Sequence, residues 1–155
     1  MKKLRTVITA VMLLTSIGLC GCANDYAKTI VSFETMTLTE KGMRFCSVYE
    51  ITNRDGKTEI SRFGRVYANG VETLELEASA TCDPVDFMEL ANSCGIIRWD
   101  GFHGKHPKHV KDGVMFEFRA AVNDGQEIYA DGSQNFPKGY HEFVRELNRI
   151  LSERG

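Results

Sequence analysis

Residues 71–95 read VETLELEASATCDPVDFMELANSCG, and two periodicities meet in them at Asp83. Up to Cys82 the period is two: Leu74, Leu76, Ala78, Ala80 and Cys82 fall on one side, and Glu75, Glu77, Ser79 and Thr81 on the other. One apolar side and one polar side predict a strand in an antiparallel sheet that is covered on one face only. The outer carboxylates then belong to a solvated face. From Asp83 the period becomes helical. Asp83 can accept hydrogen bonds from the free amides of a first turn, and Pro84 suits the first helical position. Phe87, Leu90, Ala91 and Cys94 follow on one stripe, and Gly95 is a C-terminal stop.

Outward from this junction the pattern repeats. Upstream, strands are expected over residues 28–38, 44–52 and 57–67, with a turn at Glu40-Lys41-Gly42 and a bulge at Gly64. Asp55-Gly56 and Asn69-Gly70 are hairpin turns, because these pairs tolerate the positive φ that tight turns between twisted strands require. Downstream, Ile96 to Trp99 reads as a short strand, and GFHGKHPKHVKDG, residues 101–113, as one long irregular connection. Strands over 114–122 and 126–131 flank Asp124-Gly125. Phe136-Pro137 opens a last helix with Tyr140, Phe143, Val144, Leu147, Ile150 and Leu151 on one stripe. Short hairpin turns and two one-sided helices predict an α+β fold: a single antiparallel sheet of six to seven strands with two helices packed on one face.

The N-terminus follows a different rule. Lys2, Lys3 and Arg5 precede an apolar run of 13 residues, Val7 to Leu19. A helix of that length covers roughly 20 Å, short of the ~30 Å bilayer core, so the run reads as a signal-peptide segment. It ends in Leu19-Cys20-Gly21-Cys22, which resembles the lipobox of bacterial lipoprotein signal peptides. That resemblance implies cleavage before Cys22 and a diacylglycerol on its sulfur, with further acylation by palmitate. Cys20 is the weaker acceptor, since the bulky Leu19 precedes it. Expected boundaries are therefore a removed signal peptide, 1–21, a lipidated tether, 22–27, and a single α+β domain, 28–155. Two acyl chains hold a bilayer stably where one binds only marginally. The expected address is the extracytoplasmic face of the cell membrane. Ala23 in place of Asp would, by resemblance to sorting rules, permit the outer membrane in a host that has one.

Cleavage leaves 134 residues, enough for one core, with 16 Lys and Arg against 21 Asp and Glu. An acidic chain is a poor partner for nucleic acid or anionic headgroups, so membrane contact is expected through the lipid on Cys22. Cys82 and Cys94 flank a helix and lie too far apart for a disulfide, leaving only pairs with Cys46. All three are expected as buried small apolar residues.

The chemistry-bearing residues are few. His103, His106 and His109 could hold Zn²⁺, Cu²⁺ or Ni²⁺, though Lys105, Lys108 and Lys111 are interleaved with them and no carboxylate lies between. The loop is expected to be solvated and weakly basic and no cofactor is expected; a divalent transition metal belongs to the alternative reading of these histidines. Trp99, Phe102 and Tyr129 are candidates for a binding surface for a protein or small-molecule ligand. Cys94 with His103 or His141 would be needed for a thiol hydrolase. No serine elbow or phosphate-binding glycine loop is present, so no catalytic residue is assigned. The ending GSQNFPKGYHEFVRELNRIL is similar to the tails of uncharacterised small lipoproteins of Gram-positive bacteria, which implies a fold and a compartment but no active site. The expected function is a non-catalytic binding or interaction domain on a lipid anchor, with a metal-handling lipoprotein and an envelope hydrolase as the alternatives.

Overall fold

The computed structural model describes residues 28–153; the expected signal peptide, lipobox and tether, residues 1–27, lie outside the described residues. Four strands come first: β1 (Phe33–Lys41), β2 (Cys46–Arg54), β3 (Lys57–Ala68) and β4 (Val71–Cys82). After them come α1 (Pro84–Ser93), a 3-10 turn at Ile96–Trp99, β5 (Phe102–Gly104), β6 (Met115–Val122), β7 (Gln126–Ser133) and α2 (Tyr140–Glu153). The strands form one seven-stranded sheet in the order β4-β3-β2-β1-β6-β7-β5. The fold is α+β, and the sheet is mixed.

The hairpins form where positive φ was expected. Asp55 and Gly56 have φ of 53° and 71°, and Asn69 and Gly70 have 53° and 78°. Asp83 caps α1 by accepting the Val85 amide at 2.8 Å, and Gly95 ends the helical stretch at φ 71°. The core joins Met36 and Leu38 of β1, Ile51 of β2, Ile60 of β3 and Phe118 of β6 to Phe87 of α1 and Phe143 of α2. Phe87 and Phe143 meet edge-on at 6.2 Å, and Phe143 reaches Phe118 at 6.3 Å.

Seven expectations are corrected. The sheet is not wholly antiparallel, because β5 pairs parallel with β7, Phe102 opposite Ala130. The chain leaves the sheet at one edge, β4, and returns at the other, β5, with α1 between them. From β5 the chain passes over the end of β7 to reach β6, and the β6–β7 hairpin then returns β7 between them, running the way β5 runs. Strand β5 also shortens the irregular connection, whose residues 102–104 are strand. Ile96–Trp99 is a 3-10 turn, not a strand, and a four-residue stretch carries no period long enough to separate strand from helix.

The first strand begins at Phe33, not at Lys28, because side chains take the backbone groups before it. Ile30 N–H donates to Asn92 Oδ1 and Val31 N–H to Asn123 Oδ1, each at 2.8 Å. The Asn92 and Asn123 amides donate back to the Ile30 and Thr29 carbonyls, both at 2.9 Å. The turn expected at 40–42 lies later: β1 runs to Lys41, and Gly42 N–H donates to the Phe45 carbonyl.

The alternation in β4 breaks in the middle. Arg62 pairs with Ala78 but Phe63 pairs with Leu76, so Glu77 is an extra residue in the ladder. The bulge is therefore on β4 opposite Arg62 and Phe63, and the missing side chain of nearby Gly64 leaves room for the Glu77 carboxylate. Ala80 stays on the core face with Ile60 and Ile51, while Leu76 joins Phe63 and Val48 on the other. Leu74 and Leu76 are consequently 50% and 58% exposed, and not buried as the unbroken period implied.

Candidate functional site

The segment before α2 folds back against the end of α1. Gly139, at φ 85°, makes this possible: its Cα lies against the Cys94 carbonyl, where a Cβ would collide. The Trp99 indole N–H donates to the Lys138 carbonyl at 2.9 Å, which fixes the segment from the other side. Between them opens a cavity of about 770 Å³. Trp99, Phe102, Phe136 and Tyr140 form its aromatic part, Cys94 and Ile97 also line it, and Lys28, Arg98, Lys138, His141 and Glu142 stand around it. Phe136 stacks on Tyr140 at 4.6 Å, and the His141 ring meets Phe136 edge-on at 4.8 Å.

Two polar groups of the aromatic wall are satisfied within the protein. Besides the Trp99 N–H, the Tyr140 hydroxyl donates to Glu40 Oε1 at 2.8 Å. Burial, followed by the Glu40 charge, pushes the Tyr140 phenol far above its ordinary range, so it stays protonated. Cys94 is 3% exposed, and burial pushes its thiol up as well. A thiol held in its protonated form in apolar packing is a poor nucleophile, and neither His103 nor His141 is among its hydrogen-bond partners.

Trp99 is not an exposed platform. It is 1% exposed, with its ring against Phe118 at 5.1 Å and Phe143 at 5.8 Å, because a short apolar run next to α1 turns inward. It nonetheless shares the cavity with half-buried Phe102. Tyr129 lies elsewhere. Strand alternation sets it beside Ala130, whose partner is Phe102, and turns it to the other face, with the Arg119 guanidinium 5.0 Å from its ring.

The histidines are divided among separate tasks. His103 Nδ1 engages the Asp131 carboxylate, a partner supplied by β7 and invisible in the loop's own sequence. His106 uses both nitrogens. Its Nε2 lies 2.6 Å from the Val110 carbonyl, an acceptor only, so in the neutral ring Nε2 carries the proton and Nδ1 accepts from the Ser133 hydroxyl at 2.8 Å. His109 is exposed. Among the described residues no group of three or more His, Cys, Asp or Glu is arranged to hold a metal ion. A second, smaller cavity of about 370 Å³ lies beside this loop, lined by Lys41, Glu117, Asp131 and Ser133 among others.

The chain matches no family model, no curated protein and no solved structure. Of the two faces, the cavity beside Trp99 is the larger and the more apolar candidate site. Sequence reasoning reached Trp99 and Phe102 but missed Phe136, Tyr140 and Arg98. By local pattern Phe136 and Tyr140 belong to a helix start, and the close approach at Gly139 sets that start against the end of α1.

Proposed function

We propose that the protein is a lipoprotein held at the extracytoplasmic face of a bacterial membrane by diacylglycerol on Cys22, and that it binds a ligand without transforming it. Both helices, in this reading, cover one face of the sheet, and the ligand sits at their junction with the 3-10 turn. The observation that carries the proposal is the route of the chain. Lys28 and Thr29, which directly follow the tether, line the cavity of about 770 Å³, a size within the range of small-molecule sites. The strap 29–32 is tied to α1 and to the β6–β7 turn through Asn92 and Asn123, so the tethered end and the cavity keep a fixed relation.

Cys94, buried and with its thiol pushed up by burial, argues against a thiol hydrolase at this cavity. The metal alternative through His103, His106 and His109 would require His106 to release a hydrogen bond first. Metabolic labelling with radioactive palmitate tests the anchor. Label should enter the protein, and Cys22→Ala should abolish the label and release the protein to the medium; equal labelling of both chains would refute the reading.

A further inference from the structure

We propose that the cavity between α1, the 3-10 turn and the start of α2 takes an anionic amphiphile, an acyl chain ending in a carboxylate or phosphate, drawn from the bilayer. The choice of the bilayer as source rests on the anchored reading above; the chemistry of the ligand rests on the cavity itself.

The aromatic wall offers hydrocarbon contact and little else. The Trp99 N–H is bound to the Lys138 carbonyl and the Tyr140 hydroxyl to Glu40, so neither is free to recognise a sugar hydroxyl or a peptide amide. A ligand whose buried part carries hydrogen-bonding groups would leave them unpaired, at a cost of ~1–3 kcal/mol each. An acyl chain has none.

The rim has the opposite character. Lys28, Arg98 and Lys138 are exposed on it, and among the described residues none of them forms an ion pair. Among the described residues Glu142 is the one carboxylate in the lining, and it lies 3.6 Å from Arg145. A chain with more acidic than basic residues thus gathers at one opening three cations that no described carboxylate pairs. A single anionic head above an apolar tail is what such a rim and wall complement. Location completes the case. Lys28 lies six positions after Cys22, so an extended tether holds the opening within about 20 Å of the lipidated sulfur.

Trp99, the chain's one tryptophan, serves as the reporter. The full lipidated protein is reconstituted in phosphatidylcholine vesicles, and cis-parinaric acid, a fluorescent fatty acid that accepts energy from tryptophan, is supplied either in the vesicles or free in buffer. Saturable transfer from Trp99, competed by palmitate, is expected. The methyl ester, and the Arg98→Glu/Lys138→Glu variant with the acid, should each bind at least tenfold more weakly. Absence of saturable transfer while the protein sediments with vesicles overturns the inference and leaves the anchor standing. Equal binding of acid and ester, unaffected by the variant, also overturns it. With Cys22→Ala, capture of free probe but not of vesicle-held probe supports the bilayer as source. If wild type binds free probe without sedimenting with vesicles, the ligand chemistry holds and the anchor reading falls.

Discussion

Replacing Tyr140 by phenylalanine removes one oxygen from a residue that joins the core to the cavity wall. Tyr140 is 1% exposed, its ring packed at 4.6 Å on Phe136 and 4.8 Å on Phe116, and its hydroxyl donates to Glu40 at 2.8 Å. Phenylalanine keeps the ring contacts, so the loss is polar. A hydrogen bond to a charged acceptor contributes roughly 1.5–3 kcal/mol. Glu40 is only half-buried, and its carboxylate regains water when the phenol is gone, which points to the low end, about 1.5 kcal/mol. For a domain of this size that is a fall in Tm of about 4–8 °C. Urea unfolding followed by Trp99 emission reads it directly, because Trp99 passes from full burial to water. The midpoint should drop while the slope stays constant, as both states expose the same surface. A double-mutant cycle with Glu40→Gln should return a coupling of ~1 kcal/mol. A loss below ~0.5 kcal/mol in Tyr140→Phe would refute the claim that this hydroxyl is held in the protein rather than by solvent.

Alkaline stability tests the same group from its protonation. Burial raises the phenols of Tyr140 and Tyr49 above the ordinary value of about 10. Below pH 10 both states keep these protons and their contribution is complete; above it the unfolded chain ionises first, so stability falls by up to ~1.4 kcal/mol per pH unit for each group. Urea midpoints between pH 9 and 11.5 should decline, and more gently in Tyr140→Phe. Glycine substitutions test the fold-back that forms the cavity. Gly56→Ala, at φ 71° with open space around it, should cost about 1 kcal/mol, and Gly139→Ala, at φ 85° against the Cys94 carbonyl, at least ~2 kcal/mol. Equal losses in the paired urea midpoints would contradict the close approach.

What could be read from the chain alone was whatever depends on neighbours in sequence. Asp55-Gly56 and Asn69-Gly70 signal their turns locally, Asp83-Pro84 signals a helix start, and the α2 stripe from Tyr140 to Leu151 declares its buried side. The bulge at Glu77 was hidden because a two-against-one pairing belongs to two strands at once, and β4 by itself keeps its period through residue 77. The parallel strand at Phe102–Gly104 was hidden for a similar reason, since three residues carry no period and their partner lies in β7. The candidate site was half legible. Trp99 and Phe102 stand out as aromatics, but the cavity depends on Gly139 reaching Cys94 across 45 positions, a contact with no trace in local pattern. Asn92 and Asn123 looked like ordinary helix and turn residues until their side-chain amides met residues 29–31.

Those two asparagines also decide how the body of the protein answers a pull. Tension arriving at Thr29 is divided between α1 through Asn92 and the turn at Asn123, and four side-chain hydrogen bonds of 2.8–2.9 Å share the load. Because the bonds are spread along the strap and act in concert, the first strand is spared from peeling off one bond at a time. The strap is thus mounted on the domain as on a bracket with two screws, and residues 29–31 move with the body of the protein.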